Sequence, residues 1–384
     1  MYCERELATD AAIDTALTQA REAQQRWRLT PVAERARVCL SFCGNFEAET
    51  REIATELTWQ MGRPIRYAPN EVRGTLERAR HMIAIAGDAL ADIDVGPKEG
   101  FQRFLRREPL GVVFTIAAWN YPYLIAVNSV IPALMAGNAV LLKHSAQTPL
   151  CAERFENCLR AAGLPDGLFR VLQLSHEQTS RLIRDPRVDF VAFTGSVDGG
   201  RAVQRAAAER FIGVGLELGG CDPAYVREDA DLPHAVENLV DGAFFNSGQS
   251  CCGIQRIYVH RRVYEKFVAG AVELTRRYVL GNPTDPETTL GPVVRTAAAR
   301  QIRAQIAASI AAGARAAIDE REFRASDAAT PYLAPQILLD VNHSMPVMRE
   351  EIVGPVAGIM PVAGDDEAVR LMNDSPYGLT AAVW

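Results

Sequence analysis

The sequence lacks several patterns that would assign a protein to a class at once. Its eight cysteines form no CxxC pair and no Cys/His cluster at zinc-site spacing, so neither a disulfide framework nor a metal site is predicted. No apolar run is long enough to cross a bilayer, and the start MYCERELATDAA has no apolar signal core. We therefore expect a cytoplasmic protein with free thiols and no membrane partner.

An excess of positive charge is also missing. The chain has 41 Lys and Arg against 47 Asp and Glu, and this net charge of −6 argues against a nucleic-acid partner. Repeats and low-complexity linkers are absent from the sequence as well. The 384 residues, 48% of them hydrophobic and 23% charged, suit a globular protein of two or three domains.

The first hundred residues have the apolar spacing of helices. A helix that starts at Thr30–Pro31 is expected to run to about Gly62, and another begins near Pro69. The charged stretch Phe101–Glu108 is predicted to be an exposed strand or arm. A solvated edge strand and an oligomer contact both remain open for it.

Short, mostly β-branched runs alternate with helical stretches from Gly111 onward. This alternation indicates a parallel sheet covered by helices on both faces, as in nucleotide-binding domains. A second series of strands and helices after about residue 219 indicates a second α/β domain. The chain stops at Trp384 inside a predicted strand, so we expect it to be incomplete or truncated. The strands of the first sheet are predicted at Val112–Ala117, Ala139–Lys143, Phe169–Leu174, Val188–Phe193 and Val214–Leu218.

The stretch Ala243–Arg256, AFFNSGQSCCGIQR, places Cys251 and Cys252 behind a tight turn that Gly248 permits. A thiol is a useful nucleophile when its thiolate is accessible and activated. Backbone N–H groups of such a turn can also stabilise a developing negative charge. The alternative interpretation is a pair of small buried side chains on a loop.

Five further stretches carry polar groups, and the first four follow predicted strands, where ligands bind in open α/β sheets. Taken singly, each has an ordinary interpretation, such as a turn asparagine, a solvated lysine, a capping glutamate or a surface acidic pair. The glycine-containing stretch does not match GxGxxG, so its spacing alone is a weak signal. The stretches are AWNYP at 118–122, LLKHSAQTP at 141–149, FTGSVDGG at 193–200, ELGG at 217–220 and EEIVGPV at 350–356.

Together and in this order, the six stretches resemble the NAD(P)-dependent aldehyde dehydrogenase superfamily over about Asp10 to Trp384. The resemblance implies an α/β fold, with a Rossmann-like parallel-sheet cofactor domain, a second α/β catalytic domain and a small β oligomerisation arm. It places the NAD(P)-binding domain at 1–90 and 110–218, the arm at 91–109 and the catalytic domain at 219–384. It also implies a homodimer or homotetramer, and a C-terminal segment of the family that is missing here.

The resemblance further implies a role for each matching residue. Cys251 is the nucleophile that attacks an aldehyde, and Cys252 is a bystander. Asn120 and the backbone N–H of Cys251 stabilise the oxyanion, and Glu217 is the base that activates water to hydrolyse the thioester. The residues expected to bind NAD or NADP are Lys143, Trp119, Ser145, Ala146, Gly195, Ser196, Leu218, Glu351 and Val353. The residues expected to line the substrate tunnel are Tyr121, Tyr123, Ile125, Asn128, Phe245, Ser250 and Cys252.

Three of the positions that depart from the family's pattern bear on the choice of cofactor and substrate. NAD-preferring members often carry a glutamate where this chain has Ala146, so either cofactor is expected, and His144 or Lys143 is expected to attract the 2′-phosphate of NADP. Val353 replaces a phenylalanine and is expected to loosen the reduced end of the cofactor. Succinate-semialdehyde members place an arginine where this chain has Asn128, so a neutral or mildly polar aldehyde is expected.

Three other functions remain open from the sequence. An acylating relative that releases an acyl-CoA is one, although Glu217 argues against it because hydrolysis needs that base. A non-catalytic or truncated relative that kept the fold is the second. A plain cysteine hydrolase is the third, and it lacks a histidine in a recognisable base motif.

Overall fold

The computed structural model describes residues 2–384, which form two compact units. Unit 1 comprises Met1–Glu56 and Pro69–Glu217, and unit 2 comprises Leu57–Ala68 and Leu218–Trp384. The short segment Leu57–Ala68 therefore packs with a unit whose other residues begin 150 positions further along the chain, at Leu218 (218 − 68). The predicted domain ranges instead include this segment in the NAD(P)-binding domain, within residues 1–90.

The N-terminal region is helical, as expected, but the helix predicted up to Gly62 is two helices. Glu49 leaves the helical conformation with φ −95° and ψ 14°, and its carboxylate lies 2.5 Å from a guanidinium nitrogen of Arg154. This long-range ion pair is a contact that local sequence spacing cannot reveal. The helices are α1 (Asp10–Trp27), α2 (Val32–Ala48), α3 (Thr50–Met61) and α4 (Ala68–Leu90).

An exposed hairpin follows, formed by β1 (Ile93–Asp94) and β2 (Phe104–Leu105). The two strands pair antiparallel, and all four residues are exposed. The strand expected within Phe101–Glu108 is thus present but only two residues long. A contact of this arm with a second copy of the chain stays a prediction, which the molar mass in solution tests.

Unit 1 is built on a parallel five-stranded sheet with the order β5-β4-β3-β6-β7. Every residue of the central strand β3 is buried, because helices cover the sheet. The predicted α/β fold is confirmed here. The strands are β3 (Val112–Ala117), β4 (Ala139–His144), β5 (Phe169–Val171), β6 (Phe190–Thr194) and β7 (Gly213–Glu217). The helices between them are α5 (Pro122–Met135), α6 (Pro149–Ala161), α7 (His176–Arg184) and α8 (Val197–Ala207).

Unit 2 contains a mixed six-stranded sheet with the order β10-β11-β12-β9-β8-β13, in which only β10 runs antiparallel to its neighbour. Its strands are β8 (Asp222–Val226), β9 (Ile254–His260), β10 (Arg315–Ala316), β11 (Gln336–Leu339), β12 (Val356–Val362) and β13 (Ala382–Val383). Its helices are α9 (Leu232–Phe244), α10 (Tyr264–Arg276), α11 (Thr296–Ala311), α12 (Pro346–Arg349) and α13 (Asp365–Asn373), with 3-10 turns at Phe245–Gly248 and Glu320–Glu322.

Both faces of the unit 2 sheet carry a hydrophobic core. Tyr225 and Tyr258 belong to one cluster, whereas Ala224 and Ile257, one position earlier in each strand, belong to the other. Because successive side chains of a strand point to opposite faces, helices must cover the sheet on both sides. Within residues 2–384, no helix combines the length and the apolar character that a membrane crossing requires.

Candidate active site

The carboxyl edge of the five-stranded sheet collects the predicted polar residues of unit 1. Asn120 follows β3, Lys143 lies near the end of β4, Ser196 follows β6 and Glu217 ends β7. The chain first builds β3, β4 and β5 in one direction and then places β6 and β7 on the other side of β3. Ligands of open α/β sheets bind at the carboxyl edge beside such a switch point, here between β3 and β6. Four more predicted cofactor residues adjoin the same strand ends: Trp119, Ser145, Ala146 and Gly195.

The turn that carries Asn120 is fixed by two side chains outside the motif. Glu71, which is buried on α4, accepts hydrogen bonds from two N–H groups in the first turn of α5, each at 3.1 Å. Since these N–H groups lack partners within their helix, the carboxylate caps it. His144 Nε2 lies 3.1 Å from the carbonyl oxygen of Pro122. Asn120, which is buried, therefore sits in a turn that is tied down at both α4 and β4.

His144 is not available to attract a phosphate, so that expectation is wrong. The ring is 1% exposed, and its Nδ1 lies 3.1 Å from the hydroxyl of Thr148 while Nε2 faces the carbonyl of Pro122. Burial lowers the pKa of His144 to about 4. The ring is therefore uncharged at neutral pH and enclosed by its two partners.

With His144 uncharged, Lys143 is the predicted residue that can offer a positive charge to a ligand at this edge. Its side chain is half-buried, and burial lowers the pKa of Lys143. Among residues 2–384, no hydrogen bond or ion pair of its ammonium group is found. Because an ammonium withdrawn from water without a partner is unfavourable, this position fits a ligand with hydroxyl or anionic oxygens.

The start of α8 is compact because glycine occupies two of its positions. Ser196 Oγ accepts a hydrogen bond from the N–H of Gly199 at 3.1 Å and caps the helix. A Cβ atom at Gly195 would lie 2.6 Å from the Phe193 ring, and one at Gly199 would lie 2.7 Å from it. The ring therefore packs directly on the helix start. Helix N-termini favour anionic groups, so this end suits a phosphate.

Glu217 lies at the open edge of the sheet. Its carbonyl accepts a hydrogen bond from the N–H of Gly195 at 3.0 Å, which ties β7 to the turn after β6. Its side chain is exposed, because β7 has a neighbouring strand on one side only. Leu218, the next residue, is half-buried.

One face of α5 presents the predicted substrate-lining residues of unit 1. Tyr121, Ile125 and Asn128 are spaced by four and three residues, so they share a face, and all three are half-buried or exposed. Tyr123 points the other way, is 0% exposed and packs edge-on against Phe46 with ring centroids 5.1 Å apart. The expectation that Tyr123 lines a tunnel is therefore wrong.

In unit 2, three consecutive residues in the left-handed region precede the cysteines. Asn246, Ser247 and Gly248 have φ values of 55°, 56° and 67°. A Cβ atom at Gly248 would lie 2.1 Å from the carbonyl oxygen of Gly354, so glycine is required there. The left-handed conformation costs a non-glycine residue roughly 1–2 kcal/mol. Such strain clusters at functional sites, and here it ends three residues before Cys251.

The two cysteines ionise as a pair. Cys251 is half-buried and Cys252 is exposed. The hydrogen bond between the two thiols raises the pKa of Cys251 and lowers the pKa of Cys252 to about 6, and Ser250 Oγ, 3.4 Å from the Cys252 sulfur, lowers it further. In a coupled pair, the first ionisation is stabilised by the remaining thiol and the second is opposed by the first charge. The turn therefore holds one thiolate at neutral pH, next to a thiol that can return its proton.

This coupling predicts a pH dependence of thiol reactivity. The rate at which iodoacetamide alkylates Cys252 should follow a midpoint near pH 6, with the thiolate lost below it. Replacing Cys251 with alanine removes the thiol donor, so the midpoint should rise towards about 8.5, the ordinary pKa of a thiol. Peptide mass spectrometry of the alkylated protein across the acid and neutral range measures this. The same midpoint in Cys251→Ala and wild type would show that the neighbouring thiol does not set the pKa.

The twin glycines of ELGG pack against both the cysteine turn and the acidic segment. A Cβ atom at Gly219 would lie 2.1 Å from a carboxylate oxygen of Glu351, and one at Gly220 would lie 2.9 Å from the carbonyl oxygen of Cys251. Burial raises the pKa of Glu351, and a hydrogen bond from the N–H of Gly220 opposes this shift. The structure thus brings Cys251 and Glu351 to the same stretch of backbone.

Gln255 holds the acidic segment to the strand that follows the cysteines, and no motif pointed to it. Its buried amide donates to the carbonyls of Val347 at 2.9 Å and Glu350 at 2.6 Å, and it accepts from the N–H of Ile352 at 2.8 Å. A polar residue at the start of an apolar strand was the available signal. Val353, which follows the residues bonded to Gln255, is half-buried.

Two of the six histidines, His343 and His144, are engaged by other partners and do not supply a base for a cysteine hydrolase. In unit 2, His343 Nε2 lies 2.8 Å from the hydroxyl of Tyr258, and its Nδ1 lies 2.7 Å from a carboxylate oxygen of Asp374. Both ring nitrogens are thus engaged away from a thiol. His144 in unit 1 is likewise engaged at both nitrogens.

Comparison with known proteins identifies the family of this chain. The model of the aldehyde dehydrogenase family matches residues 1–384. The succinate-semialdehyde dehydrogenase [NADP(+)] of Mycobacterium avium is 34% identical over 98% of this chain and 80% of its own length. The succinic semialdehyde dehydrogenase of Streptococcus pyogenes, solved with NADP+, matches with a TM-score of 0.94 at 27% identity over 100% of this chain and 83% of that one. PnpE, solved with nicotinamide adenine dinucleotide, matches with a TM-score of 0.92 at 29% identity over 97% of this chain and 77% of that one.

Proposed function

This chain belongs to the aldehyde dehydrogenase family, and we propose that it oxidises an aldehyde to the carboxylic acid through a thioester on Cys251. The observation that carries the proposal is the strained turn that presents a paired thiol and thiolate at Cys251 and Cys252. Covalent capture of a carbonyl carbon needs a thiolate at neutral pH in a fixed position.

The first step is addition of the Cys251 sulfur to the aldehyde carbon, with the Cys251 proton passing to the neighbouring Cys252 thiolate. This forms a carbon–sulfur bond and leaves the negative charge on the former carbonyl oxygen. The Asn120 amide and the backbone N–H of Cys251 are the proposed donors to this oxygen. Asn120 is preorganised because Glu71 and His144 fix its turn. Losing one such donor typically raises the barrier by roughly 3–4 kcal/mol.

A nicotinamide cofactor supplies the hydride acceptor for the oxidation when it is bound. This chain's residues fit such a cofactor, because Lys143 has a half-buried ammonium without a partner among residues 2–384 and the start of α8 suits a phosphate. We propose that Lys143 and Glu351 bind ribose hydroxyls and that Ser196 lies at the pyrophosphate. Ala146 places no carboxylate against a 2′-phosphate, so we propose that both NADP+ and NAD+ are accepted.

Glu217 is the proposed base for the last step. It takes a proton from water, whose oxygen attacks the thioester carbon, and the carbon–sulfur bond breaks to release the acid and the Cys251 thiolate. Its exposed carboxylate is accessible to water, which this role needs. Release to coenzyme A is the alternative, and it predicts an acyl-CoA product when coenzyme A is added.

Replacing Lys143 with methionine tests the cofactor assignment. The variant keeps the length of the side chain but removes the ammonium, so we expect KM for NADP+ to rise about 10- to 100-fold, as for loss of a charged hydrogen bond. The value of kcat should change less. Initial rates at varied cofactor concentration measure both constants. Lys266→Met, which changes an exposed lysine on α10, is the matched control, and equal effects in the two variants would contradict the assignment.

The substrate is proposed to be a neutral or mildly polar aldehyde. Helix α5 carries no lysine or arginine, and its face of Tyr121, Ile125 and Asn128 offers hydrogen bonds without a positive charge. The relatives named succinate-semialdehyde dehydrogenases favour a second candidate, a semialdehyde with a distal carboxylate.

An aldehyde panel assayed with NADP+ and NAD+ in parallel tests the proposed function. We expect aldehyde-dependent absorbance at 340 nm from reduced cofactor, with a higher kcat/KM for uncharged aldehydes than for succinic semialdehyde. A preference for succinic semialdehyde would overturn the substrate assignment but keep the reaction. No turnover on any aldehyde, with intact cofactor binding, would favour the non-catalytic alternative.

A further inference from the structure

We propose that Arg63 is a positioning residue, which holds the left-handed turn before Cys251 and so aligns the nucleophile. The inference rests on the proposed function, because it assumes that Cys251 reacts with substrate. Arg63 belongs to Gly62–Tyr67, which we call the brace segment, and it lies 183 residues before its partner Asn246.

The contact between Arg63 and the turn is buried and specific. Arg63 is 2% exposed, and its Nε donates a hydrogen bond to Asn246 Oδ1 at 2.9 Å. The other end of the same amide donates to the carbonyl of Gln249 at 3.2 Å, and the Gln249 side chain donates back to the carbonyl of Asn246 at 3.1 Å. Arg63 thus fixes a side chain that is itself bonded to the backbone leading to Cys251.

Other residues of the brace segment reach the same turn. Tyr67 packs edge-on against Phe245, the predicted substrate-lining residue, with ring centroids 5.7 Å apart. A Cβ atom at Gly62 would lie 2.7 Å from the carbonyl oxygen of Pro292, next to Gly291, whose carbonyl accepts a hydrogen bond from Ser247 Oγ at 2.8 Å. The brace segment therefore supports the turn at its start and along its side.

The need for support follows from the conformation of the turn. Asn246 and Ser247 both occupy the left-handed region, which is unfavourable for residues with a Cβ atom and persists only where surrounding contacts impose it. Loss of the Arg63 bond removes this donor from the Asn246 amide oxygen and lets these residues return towards the right-handed region. A displacement of the nucleophile by about 1 Å can lower the rate about 100-fold.

The test compares Arg63→Leu and Arg63→Lys in a Cys252→Ser background, so that Cys251 is the only thiol of the turn. Peptide mass spectrometry gives the rate at which iodoacetamide alkylates Cys251, and steady-state assays give kcat and KM for NADP+. We expect Arg63→Leu to lower both the alkylation rate and kcat about 10- to 100-fold, with KM for NADP+ changed less than about threefold. Arg63→Lys should recover part of the loss, since it keeps the charge but not the fork geometry.

Arg303→Leu in the same background is the matched control. Arg303 also lies in unit 2, and its guanidinium donates to the backbone carbonyls of Asp327 and Tyr332. It should lower the thermal midpoint without changing the alkylation rate of Cys251. An equal loss of alkylation rate in Arg303→Leu and Arg63→Leu would overturn the positioning role and leave a general effect on stability.

Asn246→Ala decides the question if Arg63→Leu does not fold. Alanine removes the acceptor of Arg63 and keeps the Cβ atom that makes the left-handed conformation unfavourable, so we expect slow Cys251 alkylation. Wild-type alkylation in this variant would overturn the inference. Alkylation of Cys251 needs no catalytic turnover. If the wild type oxidises no aldehyde but the variants still alkylate slowly, the proposed function is refuted and the positioning role of Arg63 is not.

Discussion

Replacing Cys251 with alanine is expected to lower aldehyde-dependent formation of reduced cofactor by about 10⁴-fold or more, as for removal of an enzyme's covalent nucleophile. The remaining side chains of the turn cannot substitute, since the hydroxyl of Ser250 is a weaker nucleophile than a thiolate and the sulfur of Cys252 lies one residue further on. Stopped-flow and steady-state absorbance at 340 nm measure the loss. Cofactor binding, followed by the quenching of protein fluorescence, should be unchanged because its proposed ligands are intact.

Cys158→Ala is the matched control for this experiment. Cys158 is a buried thiol in α6 of unit 1, so its replacement removes one sulfur from a core and none from the turn. It should lower stability modestly and leave kcat within about twofold of wild type, as for a small core truncation away from the reacting groups. Near wild-type activity in Cys251→Ala would contradict the covalent mechanism.

Replacing Glu217 with glutamine is expected to leave the oxidation step and to stop the hydrolysis step. The amide cannot take a proton from water, so the thioester should accumulate after a single turnover. We expect a burst of about one reduced cofactor per subunit, followed by a steady rate about 10²- to 10⁴-fold below wild type, the usual contribution of a general base. Rapid mixing with absorbance detection resolves the two phases.

Hydroxylamine should restore part of the steady rate of Glu217→Gln, because it attacks a thioester without help from a base. Glu209→Gln, at an exposed glutamate just beyond α8, is the matched control and should show wild-type hydrolysis. If Glu217→Gln shows no burst, Glu217 acts in a step that precedes formation of the thioester. Formation of an acyl-CoA by wild type in the presence of coenzyme A would favour the acylating alternative.

The strands and the positions of the polar residues of unit 1 were predictable because both depend on local pattern. Continuous apolar runs between helices define a buried parallel sheet, and its topology alone places Asn120, Lys143 and Ser196 at one edge. The strand β8 has a weak local signal because Pro223 lies inside it, at an irregularity of its pairing with β9.

Features that depend on contacts far along the chain were not predictable. The left-handed turn at Asn246 is bonded to Arg63, a residue that the sequence around the cysteines does not contain. The neutral state of His144 likewise depends on its burial and on the carbonyl of Pro122, a residue on another element. Tyr123 follows the AWNYP stretch directly, yet helix geometry turns it into the core.

The position of the acyl group tests the central claim most directly, because the turn offers two sulfurs and Cys252 has the lower pKa. Glu217→Gln is mixed with aldehyde and oxidised cofactor, quenched in acid after the burst and digested, and the modified peptide is sequenced by tandem mass spectrometry. The mechanism predicts the mass of one acyl group on Cys251. An acyl group on Cys252, or on neither cysteine, would contradict it.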